Sequence, residues 1–394
     1  MKTVDSYNFC YKKALVRVDF NVPLNENFEI TDDSRMTAAL PTIKKILSDG
    51  GSVVIMSHLG RPKNGHENKY SLIHLVPHLE KLTNAYVVFS NDCIGEKAVA
   101  QSENLEPGAI HVLENLRFHN EEKAGDKDFA KKLAEHGDIY VNDAFGTAHR
   151  AHASTAIVAD LFEDKCFGKL MAKEVANAAK LMSNPKRPFT AIVGGAKVSD
   201  KILIIENLLK IADNIIVGGG MAYTFKVAQG GFIGNSLFEE DRVKTCKEIL
   251  KAAEEKGVKI YLPADSIAGD DFSNEAKTQR VNSSAIAAGW MGLDIGPNAI
   301  EQFSNVLLNS KTILWNGPMG VFEMSSFEKG TKAIAEAVAK ATEKGAFSLI
   351  GGGDSSAAVK KFGFTDNVSY VSTGGGALLE YFEGKELPGI AAIA

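Results

Sequence analysis

FSLIGGGDSSAAV, residues 347–359, runs from an apolar strand through three glycines into a helix. Phe347 to Ile350 read as a buried strand. Gly351, Gly352 and Gly353 turn the chain tightly and leave room beside the backbone. Asp354 and Ser355 stand where a helix begins, and small residues carry it on. A helix start with nothing in front of it offers free N–H groups to an anion, and Asp354 is placed to face a metal ion travelling with that anion. Taken alone, the segment reads equally as a tight turn with an aspartate cap, since such corners are common in parallel α/β proteins.

Repetition gives the corner its meaning. Residues 190–193 lead to Gly194, Gly195, Ala196 and Lys197, and residues 214–217 lead to Gly218, Gly219 and Gly220. Residues 312–315 lead to Asn316, Gly317, Pro318, Met319 and Gly320, and residues 369–371 lead to Ser372, Thr373 and Gly374 to Gly376. Corners of one kind imply a sheet edge lined by bare backbone, which suits a flat ligand with phosphates, such as a nucleotide. Lys197 and Lys201 lie four apart and would share a face if helical. Two exposed lysines alone mean nothing. Placed just after Gly194 and Gly195, they are expected to reach a phosphate as point charges.

The first half alternates strands and helices too, but its strand ends carry charge. The run ALVRVDF (14–20) ends in Asp19 and Asn21, and Arg35 opens the next helix. The run SVVIMS (52–57) ends in His58, Gly60 and Arg61, AIHVL (109–113) is followed by Arg117 and His119, and IYV (139–141) by His149, Arg150 and His152. Strand–helix alternation implies a parallel sheet with helices on both faces. Ligands then bind at the carboxyl ends of the strands. Singly, each arginine reads as a surface ion pair. Together, Arg35, Arg61, Arg117 and Arg150 are expected to converge on a phosphate or carboxylate, which arginine recognises through two parallel hydrogen bonds. His58 directly follows its strand and is the histidine best placed to join them.

Between the halves, residues 168–184 read as one long helix with Met171, Val175, Ala178 and Met182 on one stripe, closed by Pro185 and Pro188. It is expected to connect two lobes, residues 1–167 and 185–382; the alternative is an ordinary crossover in one large sheet. Length allows two domains. A net charge of −5 argues against general nucleic-acid or membrane-surface binding. Cys10, Cys93, Cys166 and Cys246 fit no metal or redox spacing, and no apolar run approaches membrane length. A cytoplasmic protein is expected. P-loop, dinucleotide and protein-kinase motifs are absent from the sequence. An anion clamp in one half and a nucleotide edge in the other point to phosphoryl transfer between two ligands that bind separately before the lobes close. No protein nucleophile can be argued, so direct transfer is the simpler reading.

The sequence resembles the phosphoglycerate kinase family essentially end to end. The motifs that carry this are RVDFNVP (17–23), SHLGRP (57–62), ENLRFH (114–119), YVNDAFGTAHRAHAS (140–154), GGAKVSDKI (194–202), GGGMAYTF (218–225), LDIGP (293–297), WNGPMGVFE (315–323), GGGDSSAAV (351–359) and STGGGA (372–377). The resemblance implies two Rossmann-like α/β/α lobes with mainly parallel sheets, and a tail of about residues 383–394 returning to the first lobe. It implies reversible, Mg²⁺-dependent transfer between 1,3-bisphosphoglycerate and ADP, giving 3-phosphoglycerate and ATP in glycolysis, by a kinase whose acceptor is a carboxyl group. By the same resemblance, Asp19, Asn21, Arg35, His58, Arg61, Arg117 and Arg150 hold the glycerate substrate. Gly194, Gly195, Lys197, Lys201, Gly218, Gly219, Leu293, Asn316, Pro318, Glu323, Gly351, Gly352, Gly353, Asp354 and Ser355 hold the nucleotide, and Asp354 carries Mg²⁺. Arg35 and Lys197, with N–H groups near Gly352 and Gly375, stabilise the phosphoryl group in flight. Ser355 departs from the threonine more usual in the family but keeps the hydroxyl. A monomer is expected, carried over from the resemblance. The readings it competes with are a different acyl-phosphate kinase, whose small acceptors need no phosphate clamp, and an inactive nucleotide-binding protein, against which Arg35, Lys197 and Asp354 speak.

Overall fold

The computed structural model describes residues 1–63 and 65–394. Its chain divides into two units, Met1–Ala176 with Glu386–Ala394, and Asn177–Lys385. The division falls inside the long helix Lys169–Ser183.

The first unit is built on strands β1 (Lys13–Arg17), β2 (Ser52–Met56), β3 (Val87–Phe89), β4 (Ile110–Val112), β5 (Ile139–Asn142) and β6 (Lys165–Phe167). They form one sheet in the order β3-β4-β2-β1-β5-β6, with every neighbouring pair parallel. Every residue of β2, β4 and β5 is buried. That is why these strands read as continuous apolar runs: a parallel sheet covered by helices on both faces has no solvent side. The helix Ser34–Ser48 buries Met36, Ala39, Leu40, Ile43 and Ile46, three or four residues apart, and Met36, Ala39, Ile43 and Ile46 join Val16, Val53 and Ile55 in the core. Strand order reverses between β1 and β5, so the chain leaves their carboxyl ends in opposite directions and opens a crevice there. The segment Glu386–Ala394 belongs to this unit. Gly389 N–H donates to the Ala148 carbonyl at 2.8 Å, and Asn142 Nδ2 donates to the Gly389 carbonyl at 3.2 Å.

The second unit contains β7 (Phe189–Val193), β8 (Asn214–Val217), β9 (Phe232–Ile233), β10 (Lys259–Tyr261), β11 (Asp265–Gly269), β12 (Thr278–Asn282), β13 (Ala285–Ile286), β14 (Met291–Ile295), β15 (Thr312–Asn316), β16 (Phe347–Gly351) and β17 (Tyr370–Val371). Its main sheet, β10-β8-β7-β15-β16-β17, is again wholly parallel. Counted along the chain, that is the 3-2-1-4-5-6 order of doubly wound folds, with the reversal between β7 and β15. A small antiparallel sheet, β12-β11-β14, and the parallel pair β13-β9 sit in the sequence between β8 and β15. Sequence periodicity did not reveal them. β12 alternates exposed and half-buried residues, Thr-Gln-Arg-Val-Asn, and has too little apolar content to stand out.

Candidate active site

In the first unit, charge gathers at the carboxyl ends of β1, β2, β4 and β5. Arg17 closes β1 and is 1% exposed. Its Nε donates to Ser154 Oγ at 2.8 Å, one terminal nitrogen donates to the Val18 carbonyl, and the other donates to His58 Nδ1 at 3.3 Å. Ser154 in turn donates to the buried carboxylate of Glu122 at 2.6 Å through its hydroxyl and at 2.9 Å through its amide. Asp19 follows β1 and pairs with Arg35 at 2.9 Å, with His58 Nδ1 4.0 Å from its other oxygen. Asn21 Oδ1 accepts from Gly60 N–H at 2.7 Å, and Arg117 donates to the Gly60 carbonyl at 2.9 Å. These bonds tie the loops after β1, β2 and β4 into one rim.

His58 records how cationic that rim is. Burial comes first, and then Arg17, Arg117, Arg35 and Arg150 each push its pKa down, well below the usual histidine range. It therefore stays neutral and accepts from Arg17. Burial, followed by Arg150 and Arg17, brings even Arg117 down to about 10. Burial and then Arg17, Arg150 and Arg117 take His152 to about 4. Guanidinium groups crowded closely enough to lower the pKa of Arg117 and of the histidines beside it make a site short of negative charge, and a multiply anionic ligand is what would supply it. Arg35, Arg117, Arg150, Asp19, Asn21 and His58 are thus brought together. Arg61 is exposed and is not among the charges that bear on His58. Arg17 and Glu122 belong to the rim and were not read from sequence. The available signal was a single arginine inside the otherwise buried run ALVRV.

In the second unit the loops after β7, β8 and β15 meet as backbone on backbone. Gly194 N–H donates to the Asn316 carbonyl at 2.8 Å, Gly195 N–H to Pro318 at 3.2 Å, Gly218 N–H to Val193 at 3.0 Å, and Gly219 N–H to Met319 at 3.1 Å. A Cβ on Gly194 would lie 2.2 Å from the Pro318 oxygen, and one on Gly317 the same distance from the Gly194 oxygen. These glycines exist so that two loops can touch, and their amides already have acceptors. The expectation of a bare backbone edge fails for Gly194, Gly195, Gly218 and Gly219. It holds at the β16 corner, where Gly352, at φ 90°, caps the helix Gly353–Lys361 and leaves its first-turn amides without an intrahelical acceptor. Asp354 sits in that first turn and is not the cap. Ser355 is buried, and its Oγ accepts from Gly317 N–H at 2.6 Å. Gly375, at φ 48°, plays the capping part before the helix Gly376–Phe382.

The two lysines do not share a helical face. The helix after β7 begins only at Ile202, so Lys197 lies in the loop and Lys201 at the helix cap. Lys197 is exposed. Lys201 donates to Asn316 Oδ1, while Asn316 Nδ2 donates to the Gly351 carbonyl at 2.8 Å. Burial lowers the Lys201 pKa against the opposing pull of Asp200 and Asp354.

Beside these loops lies a cavity of about 410 Å³. Gly195, Gly219, Pro318, Leu293, Glu323 and Asp354 of the expected nucleotide residues line it; Gly194, Lys197, Lys201, Gly218, Asn316, Gly351, Gly352, Gly353 and Ser355 stand outside its wall. The rest of the wall includes Tyr223, Asn235, Leu237, Pro263, Phe272, Met291 and Asp294, several from the small antiparallel sheet and its loops. Phe272 and Leu237 are 59% and 50% exposed. Large apolar side chains left in solvent around a concave surface suit a flat ring. A lone phenylalanine in the acidic turn GDDFSN was the one sequence signal for this wall. Asp354 is exposed at the wall, and its carboxylate is a hard oxygen donor of the kind that would suit Mg²⁺.

Comparison with known proteins bears on the chain as a whole. The profile of one family, phosphoglycerate kinase, matches residues 4–385. A phosphoglycerate kinase of Porphyromonas gingivalis is 54% identical, covering 99% of both chains, and the cytosolic phosphoglycerate kinase 3 of Arabidopsis thaliana is 52% identical over 97% of this chain and 95% of its own. Among solved structures, phosphoglycerate kinase from Coxiella burnetii matches with a TM-score of 0.90 at 42% identity over 99% of this chain and 98% of its own. The enzyme from Pyrococcus horikoshii matches at 0.84 and 31% identity over 100% and 98%.

Proposed function

The chain belongs to the phosphoglycerate kinase family, and we propose how its residues divide the glycolytic transfer between 1,3-bisphosphoglycerate and ADP, which gives 3-phosphoglycerate and ATP. The first unit, with its C-terminal segment, binds the glycerate. The second binds the nucleotide, and the helix Lys169–Ser183 connects them. The observation that carries this reading is the convergence of Arg17, Arg35, Arg117 and Arg150 on neutral His58.

Arg35, Arg117 and Arg150 clamp the phosphate and carboxylate of the glycerate, with Arg61 recruited from the exposed loop. Asp19, Asn21 and His58 set its orientation, and Arg17 holds His58 and the rim in register. Asp19 keeps Arg35 aimed while the site is empty. Phe272 and Leu237 flank the base, Leu293 and Pro318 form its bed, and Glu323 accepts from the ribose hydroxyls. Gly194, Gly195, Gly218 and Gly219 shape that bed and are not phosphate donors. Lys201, Asn316, Gly351, Gly353 and Ser355 hold the β16 corner so that its first-turn amides face the phosphates. Asp354 would hold Mg²⁺, which would supply charge neutralisation at the phosphates.

The acceptor in the ATP-consuming direction is a carboxylate, ionised at neutral pH, so no general base is needed. Catalysis rests on alignment and on charge placed where it develops. Arg35, Lys197 and the N–H groups near Gly352 and Gly375 bear on the transferring phosphoryl group. In-line transfer requires both ligands together with water excluded, so the reading includes hinge closure before the chemical step. We assign the protein to the cytoplasm as a monomer. Its cysteines are free, and no helix among the described residues is long and apolar enough to cross a membrane. The test is a coupled assay with 3-phosphoglycerate, ATP and Mg²⁺. Turnover is expected with 3-phosphoglycerate and not with acetate. Equal rates with acetate would overturn the role of the arginine rim.

A further inference from the structure

We propose that Asp92, Cys93 and His119 form a binding site for one divalent cation of the zinc type, separate from the residues assigned to either substrate. One ligand atom from each, a carboxylate oxygen, the thiol sulfur and an imidazole nitrogen, lie within 4.8 Å of one another. His119 Nε2 already stands 3.0 Å from Asp92 Oδ1. The Cys93 side chain is completely buried and in no disulfide, its sulfur turned toward the other two groups. Sulfur, nitrogen and oxygen donors in one cluster select a borderline-soft ion over Mg²⁺ or Ca²⁺, which take oxygen. Three protein ligands leave a fourth position to water, on the side where Asp92 and His119 are partly exposed.

The cluster is held from behind. Cys93 N–H donates to Asp92 Oδ1 at 2.7 Å, which fixes the loop after β3. A Cβ on Gly95 would come within 2.7 Å of Asp92 Oδ2, so the glycine keeps the carboxylate's space open. His136 Nε2 donates to the Cys93 carbonyl at 3.1 Å. The other nitrogen of that ring, Nδ1, therefore accepts from Ser102 Oγ at 2.6 Å, and Ser102 accepts in turn from His111 Nδ1 at 2.7 Å. Ser90 Oγ closes the chain 2.6 Å from His111 Nε2. This wholly buried row of serines and histidines has no part in phosphoryl transfer. It does fix the backbone that presents the sulfur, which is the work outer partners do around metal ligands. On binding, Cys93 releases its thiol proton to solvent. The His119 ring proton moves from Nε2 to Nδ1, and the freed Nε2 lone pair turns from its hydrogen bond with Asp92 to the cation.

Co²⁺ is the probe, because thiolate ligation gives it a charge-transfer absorption that oxygen and nitrogen ligands do not. Titration of the reduced, metal-free full chain should show this band saturating at one Co²⁺ per chain and vanishing as Zn²⁺ displaces it. The band should be lost in Cys93→Ser and kept in Cys10→Ser. His119 is partly exposed and rests its ring against Phe129; His119→Gln keeps a side chain there and should weaken Co²⁺ binding at least about tenfold while circular dichroism stays unchanged. Absence of the band in the parent protein would overturn the proposal. So would a band surviving Cys93→Ser, or His119→Gln binding as tightly as the parent.

Discussion

The two units solve the same problem in opposite ways. Each is a parallel sheet with one reversal of strand order, and each gathers loops at the carboxyl edge beside it. In the first unit those loops are held by side chains: Arg17 to Ser154, Arg35 to Asp19, Arg117 to Gly60. In the second they are held by main chain, with Gly194, Gly195, Gly218 and Gly219 donating to neighbouring carbonyls. Every histidine of the chain falls in the first unit. A rim of side chains concentrates positive charge and suits a small, highly charged ligand. A rim of backbone and apolar surface makes a smooth wall for a large, flat one. Fold does not dictate which; the residues at the strand ends do.

The contrast predicts where each rim breaks. Replacing Arg17 strikes the first hardest, since it strips a cation from a buried network that contains Glu122. Arg17→Met should cost roughly 3–5 kcal/mol, read as a lowered denaturation midpoint. An unchanged midpoint would mean that the network is not supporting the rim. Arg35→Ala and Lys197→Ala, one from each unit, should leave the fold intact and lower kcat by about 10²-fold or more. Near-normal turnover in either would remove it from the transition state.

Glycine substitutions separate packing from binding in the second unit. Gly194→Ala pushes a methyl into the Pro318 carbonyl and should cost about 1–3 kcal/mol, measured by urea unfolding. Gly353→Ala meets nothing within 4 Å and should leave stability nearly unchanged. If the two behaved alike, the loop-on-loop account would fail. Acid acts on the first unit. Burial drives His111 and His136 down to about 4, whereas an unfolded histidine titrates near 6.5. Protonation therefore favours the unfolded chain: stability is full above about 6.5 and is lost as pH falls toward 4. His111→Gln should shrink the loss between pH 7 and pH 5 by about 1–2 kcal/mol. Hydrogen exchange resolved to each unit would check this, and an equal loss in parent and variant would count against it.

Much of both rims was legible because it is local. A buried strand, a glycine turn and a helix start occupy consecutive residues, so the corner at 347–359 can be read without knowing its neighbours. The same holds for His58 and Arg150, which follow their strands closely. Lys197 and Lys201 misled because spacing by four means a shared face only inside a helix, and that helix starts at Ile202. The cavity wall from Pro263 to Met291 was missed because its strands are short and β12 is half-exposed, with little apolar periodicity to detect.

The sequence alone settled two parallel α/β patterns, one with arginine at its strand ends and one with glycine, because burial on both faces and turn chemistry are written in neighbouring residues. Only the tertiary structure decided which of those groups are free to bind. Arg17 is committed to Ser154, the Gly194 amide to Asn316, and Cys93 brought beside His119, each by contacts across distant parts of the chain. Hydrogen-bond partners are assigned by proximity in space, and no local rule reports which loop will arrive to claim an amide or a guanidinium.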